Sequence, residues 1–431
     1  MTKVNLLRLR FANILSFKDE QEIFFTAESK YTNTPTNYIR NEKAIGEELI
    51  TPVTAFYGAN ASGKSNILYV LAVILRSFLG KPYQKFSMDN YRPFKLHDET
   101  INEPSFLEID FCIDALRYIL SLTFDKSGIL KEQLNEYQLK SKKVIYSREN
   151  NKLIKFNKDI ISKFDLQFTE DTLSKRPDIL VLDILDTKGL AYIHSILSAV
   201  TIISKTAFGF PPTKDFFNSF AEEMLNNKQL KEKFVKFMQY ADLGITDVYI
   251  EKVSSPHPDA IVLSETGTGT VPGPYTIYKM SFEHKGKDGK KYLLDLNSES
   301  EGTRQFVTFM RYFIPGLLDG GIFFIDEIDK NIHSMMLAKL IEIFNNPNIN
   351  KGGAQLIFNT HDTSILKSDI LKRDEIWFVE KNEEGCSEVY PLTEFKSIRE
   401  GFNYEKGYLE GRFGAIPYLG DIKELEAILN A

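Results

Sequence analysis

Gly58-Ala59-Asn60-Ala61-Ser62-Gly63-Lys64-Ser65 decides how this chain is read. It fits the pattern G-x-x-x-x-G-K-S without a mismatch. Pro52 to Tyr57, just before it, is a short apolar run expected to be a strand, and Asn66 to Phe78 after it carries apolar residues at helical spacing. The glycines let successive backbone N–H groups converge on phosphate oxygens, and the following helix adds its positive N-terminal end. Lys64 is expected to reach the β- and γ-phosphates of a nucleotide and Ser65 to ligate Mg²⁺. The expected ATP-contacting set is Gly58, Asn60, Ser62, Gly63, Lys64, Ser65 and Asn66. The bland alternative is a plain tight turn, which does not call for this strand and helix on either side.

A phosphate loop needs a carboxylate for its metal. Gly321-Ile322-Phe323-Phe324-Ile325-Asp326-Glu327 supplies one, as four apolar residues followed by two acids. A buried strand delivers such acids to its C-terminal end, where α/β sheets bind ligands. Asp326 is expected to hold Mg²⁺ and Glu327 to act as general base on the attacking water. Alone, the pair would read equally well as strand-end acids facing solvent. A second apolar run, Leu356-Ile357-Phe358-Asn359, leads to Thr360-His361, so His361 could donate to a γ-phosphate oxygen or simply be a satisfied polar residue. Ser300 and Gly302, directly before a helical stretch, form either a further anion site or an ordinary N-cap.

Composition bounds the remaining possibilities. The 431 residues carry 53 Lys and Arg against 59 Asp and Glu, a net charge of −6. No global basic field exists for a polyanion, so nucleic-acid contact would need a local patch. Lys140 to Arg148 is the best such patch, and a solvated strand edge explains it as well. The two cysteines, Cys112 and Cys386, exclude a disulfide framework and a four-cysteine zinc site, and both read as core residues. His97-Asp98-Glu99 reads as a solvated loop. Gly189 to Ser204, the longest apolar run, is interrupted by His194 and is expected to be a buried helix rather than a membrane span. No signal peptide is visible in Met1 to Phe17, so a cytoplasmic location without membrane attachment is expected.

Along the chain, Val4 to Phe11 and Gln21 to Phe25 read as a hairpin, and Phe106 to Tyr146 reads as further antiparallel strands. Asp215 to Tyr240 has helical spacing, without the sustained heptads of a coiled-coil arm. Ser264 to Pro274 reads as a flexible loop. The expected domains are 1–150, an N-terminal ATPase lobe with the phosphate loop and a β-subdomain; 151–245, a helical insertion; and 246–431, a C-terminal ATPase lobe. The fold class is α/β, with an antiparallel β-lobe and a helical insertion.

The order of these motifs resembles the ABC-type head ATPases, a family that includes SMC, RecF-like and OLD-type proteins. This resemblance implies that Ser300, Gly302 and Thr303 form a signature contacting the γ-phosphate of ATP held by a second copy in a head-to-head dimer. It also implies that Asp329 lies in a loop crossing that interface, and that His361 is the switch histidine. Arg10, Asn13 and Ser16, within Leu9 to Phe17, match the N-terminal hairpin flanking the nucleotide. With Lys64, Glu327 and His361 form the implied catalytic set. The signature here, Glu-Ser-Glu-Gly-Thr, departs from the two-glycine form, and Tyr91-Arg92-Pro93-Phe94 only approximates the place of the Q-loop. Slow turnover follows from both departures.

Asn13 to Asp19, Ala241 to Ile245, Glu299 to Thr303 and Tyr408 to Pro417 look like the bacterial abortive-infection ATPases of the RloA/AbiL type, related to the Septu and PARIS ATPase subunits. That likeness implies a role in phage defence or toxin–antitoxin control. A separately encoded effector, expected to be a nuclease, would act, and no nuclease motif appears in this chain. A DNA-clamping repair ATPase of the SMC/RecF kind and a nucleotide-bound scaffold with little turnover are the competing readings.

Overall fold

The computed structural model describes residues 3–27, 38–40, 49–76, 91–114, 116–138, 141–186, 214–241, 243–254, 259–264, 267–272, 276–330, 332–396, 398, 401–417 and 422–429. The expected helix over Gly189 to Ser204 lies outside them. The chain divides into two units. The first takes Met1–Phe208, Gly316–Lys330 and Leu337–Ala431, and the second takes Gly209–Pro315 and Asn331–Met336.

In chain order, the first unit opens with β1 (Val4–Ala12), β2 (Gln21–Phe24), β3 (Ile39–Arg40), β4 (Leu49–Ile50), β5 (Val53–Tyr57) and helix α1 (Lys64–Arg76). The β-lobe follows as β6 (Ser105–Ile113), β7 (Leu116–Asp125), β8 (Gly128–Gln138), β9 (Ser141–Glu149) and β10 (Lys152–Phe156), then α2 (Lys163–Lys175) and α3 (Val181–Asp186). The second unit holds α4 (Lys214–Asn226), α5 (Lys228–Tyr240), β11 (Ile245–Ser254), β12 (Asp259–Ser264), β13 (Gly267–Pro272), β14 (Thr276–Lys285) and β15 (Lys291–Asp295). Then come α6 (Glu301–Asp319), β16 (Ile322–Ile325), α7 (Ser334–Asn345), β17 (Gln355–Asn359), β18 (Ile376–Lys381), β19 (Ser387–Pro391), α8 (Tyr404–Leu409) and α9 (Ile422–Leu429).

Two sheets organise the first unit. One is antiparallel, in the order β10-β9-β8-β7-β6-β1-β2, and its strands alternate because one face is buried. The other has the order β16-β17-β5-β18-β19, parallel except for the β18–β19 hairpin. Its central strands are buried along their whole length, which is why they read as unbroken apolar runs. This is the α/β fold of a P-loop nucleotide-binding domain, with an antiparallel β-lobe. Gln355 joins the two sheets: fully buried, its side chain accepts from Leu6 N at 2.7 Å and donates to Leu6 O at 3.0 Å, as a neighbouring strand would.

In the second unit the long helical run is two helices, not one. Asn227 breaks it, because its side chain accepts from Leu230 N and caps α5. Phe220 and Phe234 then pack edge to face, 5.3 Å apart. The stretch expected as a loop at Ser264 to Pro274 contributes to the β12–β13 hairpin. Thr268, Thr270 and Val271 supply β-branched residues there, which outweigh the glycines between them.

Candidate nucleotide site

The strand order sets the geometry of the first unit's site. β17 lies between β5, which leads into the glycine loop, and β16, which ends before Asp326. The last residue of β17, Asn359, therefore sits between the two. Ser65 Oγ donates to Asp326 Oδ1 at 2.9 Å, and Asn359 Nδ2 donates to the same oxygen at 2.6 Å and lies 3.4 Å from Ser65 Oγ. On its other side, Asn359 Oδ1 accepts from Glu327 N, and Asn359 O accepts from Ile328 N. Glu327 is held at φ 49°, a left-handed conformation that costs a non-glycine residue about 1–3 kcal/mol. Its carboxylate is exposed and lies 3.7 Å from Lys330 Nζ. Asn359 had no assigned role in the sequence reading. The only available signal was a polar side chain ending a wholly apolar strand.

The glycine loop is tightly built. Gly63 has φ 114°, and a Cβ there would stand 2.7 Å from Ser387 Oγ and 2.9 Å from Ser16 Oγ. Ser387 Oγ itself donates to Ser62 O at 2.6 Å. Ala61, at φ 61°, is a left-handed non-glycine, so the loop stores strain at its apex. Lys64 is nearly buried and donates to Gly58 O at 2.8 Å and Ala59 O at 2.9 Å. Burial pushes its ammonium down to about 8, against the opposing pull of Asp326, Glu327 and Asp329. Asn60 stands at the exposed crest of the loop.

His361 is exposed, and its backbone N donates to Asp329 Oδ1 at 3.3 Å. The segment after it is held from below: Tyr57 Oη donates to Asp362 O, Thr363 Oγ1 bonds Glu405 on α8, and Tyr57 packs against Tyr408. The tail continues this support, since Phe413 and Tyr408 both stack on Phe378 of β18.

The N-terminal hairpin residues separate into two groups. Ser16 reaches the loop, accepting from Asn66 Nδ2 at 2.8 Å. Ser16 and Asn66 also line a cavity of about 490 Å³ walled by Arg92, Phe94, Leu96 and Gly385. Asn13, buried at φ 48°, donates to Glu103 O and Thr100 O and accepts from Phe94 N, so it clasps the 91–104 segment. Arg10 is engaged by Glu20 and Glu108 on the β-lobe. Of the basic stretch at Lys140 to Arg148, Tyr146 and Arg148 point into a buried cluster around Glu132, leaving Lys142 and Lys143 exposed.

In the second unit, Ser300 Oγ accepts from Thr303 N at 3.1 Å and contacts Thr303 Oγ1 at 2.9 Å, capping α6. Gly302 lies in the first turn of that helix. Glu299, just before the cap, is buried and pairs with His284 Nε2 at 2.7 Å.

Residues 53–367 match the family model described as "AAA domain, putative AbiEii toxin, Type IV TA system". None of the curated proteins matches the chain. Among solved structures, the SMC head domain from Thermotoga maritima is 13% identical, with 90% of this chain and 98% of that one covered at a TM-score of 0.39. The Smc head domain with an extended coiled coil, bound to the C-terminal domain of ScpA, from Pyrococcus furiosus is also 13% identical. There 91% of this chain and 98% of that one are covered, at a TM-score of 0.42. No helix among the described residues is long and apolar enough to cross a membrane.

Proposed function

The chain belongs to this AAA-domain family of the AbiEii type, and from that premise we propose that it is an ATP-hydrolysing switch controlling a separately encoded effector in phage defence or toxin–antitoxin regulation. One observation supports the chemistry above all: a hydrogen-bonded chain from Ser65 through Asp326 and Asn359 to Glu327 links the start of helix α1 to the ends of β16 and β17. Ser65 and Asp326 present hard oxygen donors side by side, and Mg²⁺ characteristically takes one or two protein oxygens beside phosphates and waters. The residues therefore fit Mg²⁺, which when bound would neutralise phosphate charge. Lys64 would pair with the β- and γ-phosphates as a point charge, with backbone N–H groups of Asn60 to Asn66 around them. Glu327, on its strained turn, would take the proton from the attacking water. His361 would donate to the γ-phosphate from a backbone tied to Asp329 through its own N–H.

Dimerisation belongs to the same proposal. Ser300, Gly302 and Thr303 begin a helix whose positive end suits the γ-phosphate of a second copy. Asp329 would cross that interface. The finer kinship with RloA/AbiL-type, Septu and PARIS ATPases, a nuclease effector and a cytoplasmic location are part of this reading. A nucleotide-bound scaffold with little turnover is the second reading, favoured by the commitment of the Ser300 hydroxyl to its cap.

Tagged Glu327→Gln protein, purified from its native locus with ATP and Mg²⁺, tests the proposal. One stoichiometric protein partner without nucleic acid is the expected result. Nuclease-sensitive DNA and no protein partner would overturn it in favour of a DNA clamp.

A further inference from the structure

Beside the cavity described above, three side chains of metal-ligating type converge. His97 lies in the 91–104 segment, and Glu384 and Cys386 lie on the turn from β18 into β19. One ligand atom from each falls within 4.8 Å of the others. His97 Nε2 and Glu384 Oε2 stand 3.3 Å apart. Tetrahedral zinc, with bonds of about 2.0–2.3 Å, places neighbouring nitrogen and oxygen ligands roughly 3.3 Å apart and a sulfur slightly farther. The His–Glu spacing already matches, and Cys386 needs to close by no more than about 1.3 Å. The turn is well braced for this: Cys386 N donates to Asn382 Oδ1, and Asn382 N donates to Cys386 O.

We infer that His97, Glu384 and Cys386 form a site for a divalent transition-metal ion of the zinc class. The site fastens the 91–104 segment to the β18–β19 turn. Three protein ligands leave one position for water. The thiolate selects a borderline-soft ion and disfavours Mg²⁺, so this ion differs from the one that Ser65 and Asp326 would hold. Leu96 and Gly385, each next to a ligand in sequence, line the cavity shared with Ser16 and Asn66. Metal binding would tie two of that cavity's walls together.

Lys18 is the gatekeeper. Its Nζ lies 3.3 Å from His97 Nδ1. An ammonium accepts no hydrogen bond, so Nδ1 is the acceptor and Nε2 carries the proton that faces Glu384. When the metal takes Nε2, the imidazole proton moves to Nδ1, Lys18 turns away, and the Cys386 thiol proton leaves to solvent. A dication with two anionic ligands is then locally neutral. The inference stands independently of the nucleotide reading.

The test is a Co²⁺ titration of the metal-stripped full chain without nucleotide. One ion per chain is expected, with a near-ultraviolet thiolate-to-cobalt band and the visible spectrum of a tetrahedral ion. Cys386→Ser should abolish the thiolate band, while Cys112→Ser, on the β-lobe, should keep it. His97→Ala should weaken binding at least about tenfold, as loss of a ligand does. Lys18→Met should tighten it by about tenfold through removal of a neighbouring cation. No thiolate band at Co²⁺ in excess, a band surviving Cys386→Ser, or an affinity indifferent to both His97→Ala and Lys18→Met would overturn the inference.

Discussion

Replacing Asn359 with alanine removes the brace that ties the ends of β17 and β16 to the start of helix α1. Its buried amide donates to Asp326 and accepts from Glu327 N, and its second amide hydrogen is close to Ser65. A net hydrogen bond contributes about 1 kcal/mol, and one to a charged group about 1.5–3 kcal/mol. Asp326 reaches solvent, which moves its bond to the low end of that range. The stability loss is therefore about 2–3 kcal/mol, read as a lowered urea midpoint at unchanged slope. Turnover should fall further than stability implies. The Asn359 bond holds Glu327 at φ 49°, and without it the turn can relax and displace the carboxylate. A misplacement of about 1 Å costs on the order of a hundredfold in rate. The phosphate loop loses only the long Asn359–Ser65 contact, so ATP affinity should change by less than about tenfold, giving a kcat effect with little KM effect. Wild-type kcat in Asn359→Ala, with a normal urea midpoint, would refute this reasoning.

Other positions give sharp expectations. Gly63→Ala forces a Cβ against Ser387 and Ser16 in a left-handed backbone, so it should lose at least about 2 kcal/mol of stability and ATP binding together, measured by melting and nucleotide titration. Lys64→Met should abolish ATP binding yet stabilise the nucleotide-free protein by about 1–3 kcal/mol at pH 7, since a buried ammonium with a pKa lowered to about 8 destabilises the fold while protonated. The unfolded chain binds more protons between pH 8 and the ordinary lysine value, so the wild type gains stability over that window. Stability curves of the two proteins should converge there, and a constant gap would contradict the burial account. Gln355→Leu orphans the backbone N–H and C=O of Leu6, and should lower stability by about 2–4 kcal/mol in urea melts without altering ATP affinity in the surviving folded protein.

The parallel sheet was legible because each of its central strands is buried on both faces and ends abruptly in polar residues. Phe56-Tyr57 before the glycine loop, Phe324-Ile325 before Asp326, and Ile357-Phe358 before Asn359 announce themselves as apolar runs of strand length. Their order across the sheet is a long-range property, and no spacing in a single sequence encodes it. Asn359 was overlooked for that reason: its importance comes from β17 lying between β5 and β16. Asn13 shows the same limit. The family resemblance implies a nucleotide-flanking residue there, while its fold-level task is to clasp a segment about ninety residues away, at Thr100 and Glu103. Local capping explains the split at Asn227, where a polar residue within a helical pattern ends one helix and begins the next. The β12–β13 hairpin was obscured because glycines alternating with threonine and valine look like a loop until a partner strand is found.

The central claim is that this site hydrolyses ATP through Glu327. Steady-state hydrolysis by purified Glu327→Gln, measured beside wild type with nucleotide occupancy determined in the same samples, tests it most directly. The account predicts at least about a hundredfold loss of turnover, as expected for removal of a general base, with ATP retained on the protein. Wild-type turnover in Glu327→Gln would contradict it and assign the base to another residue.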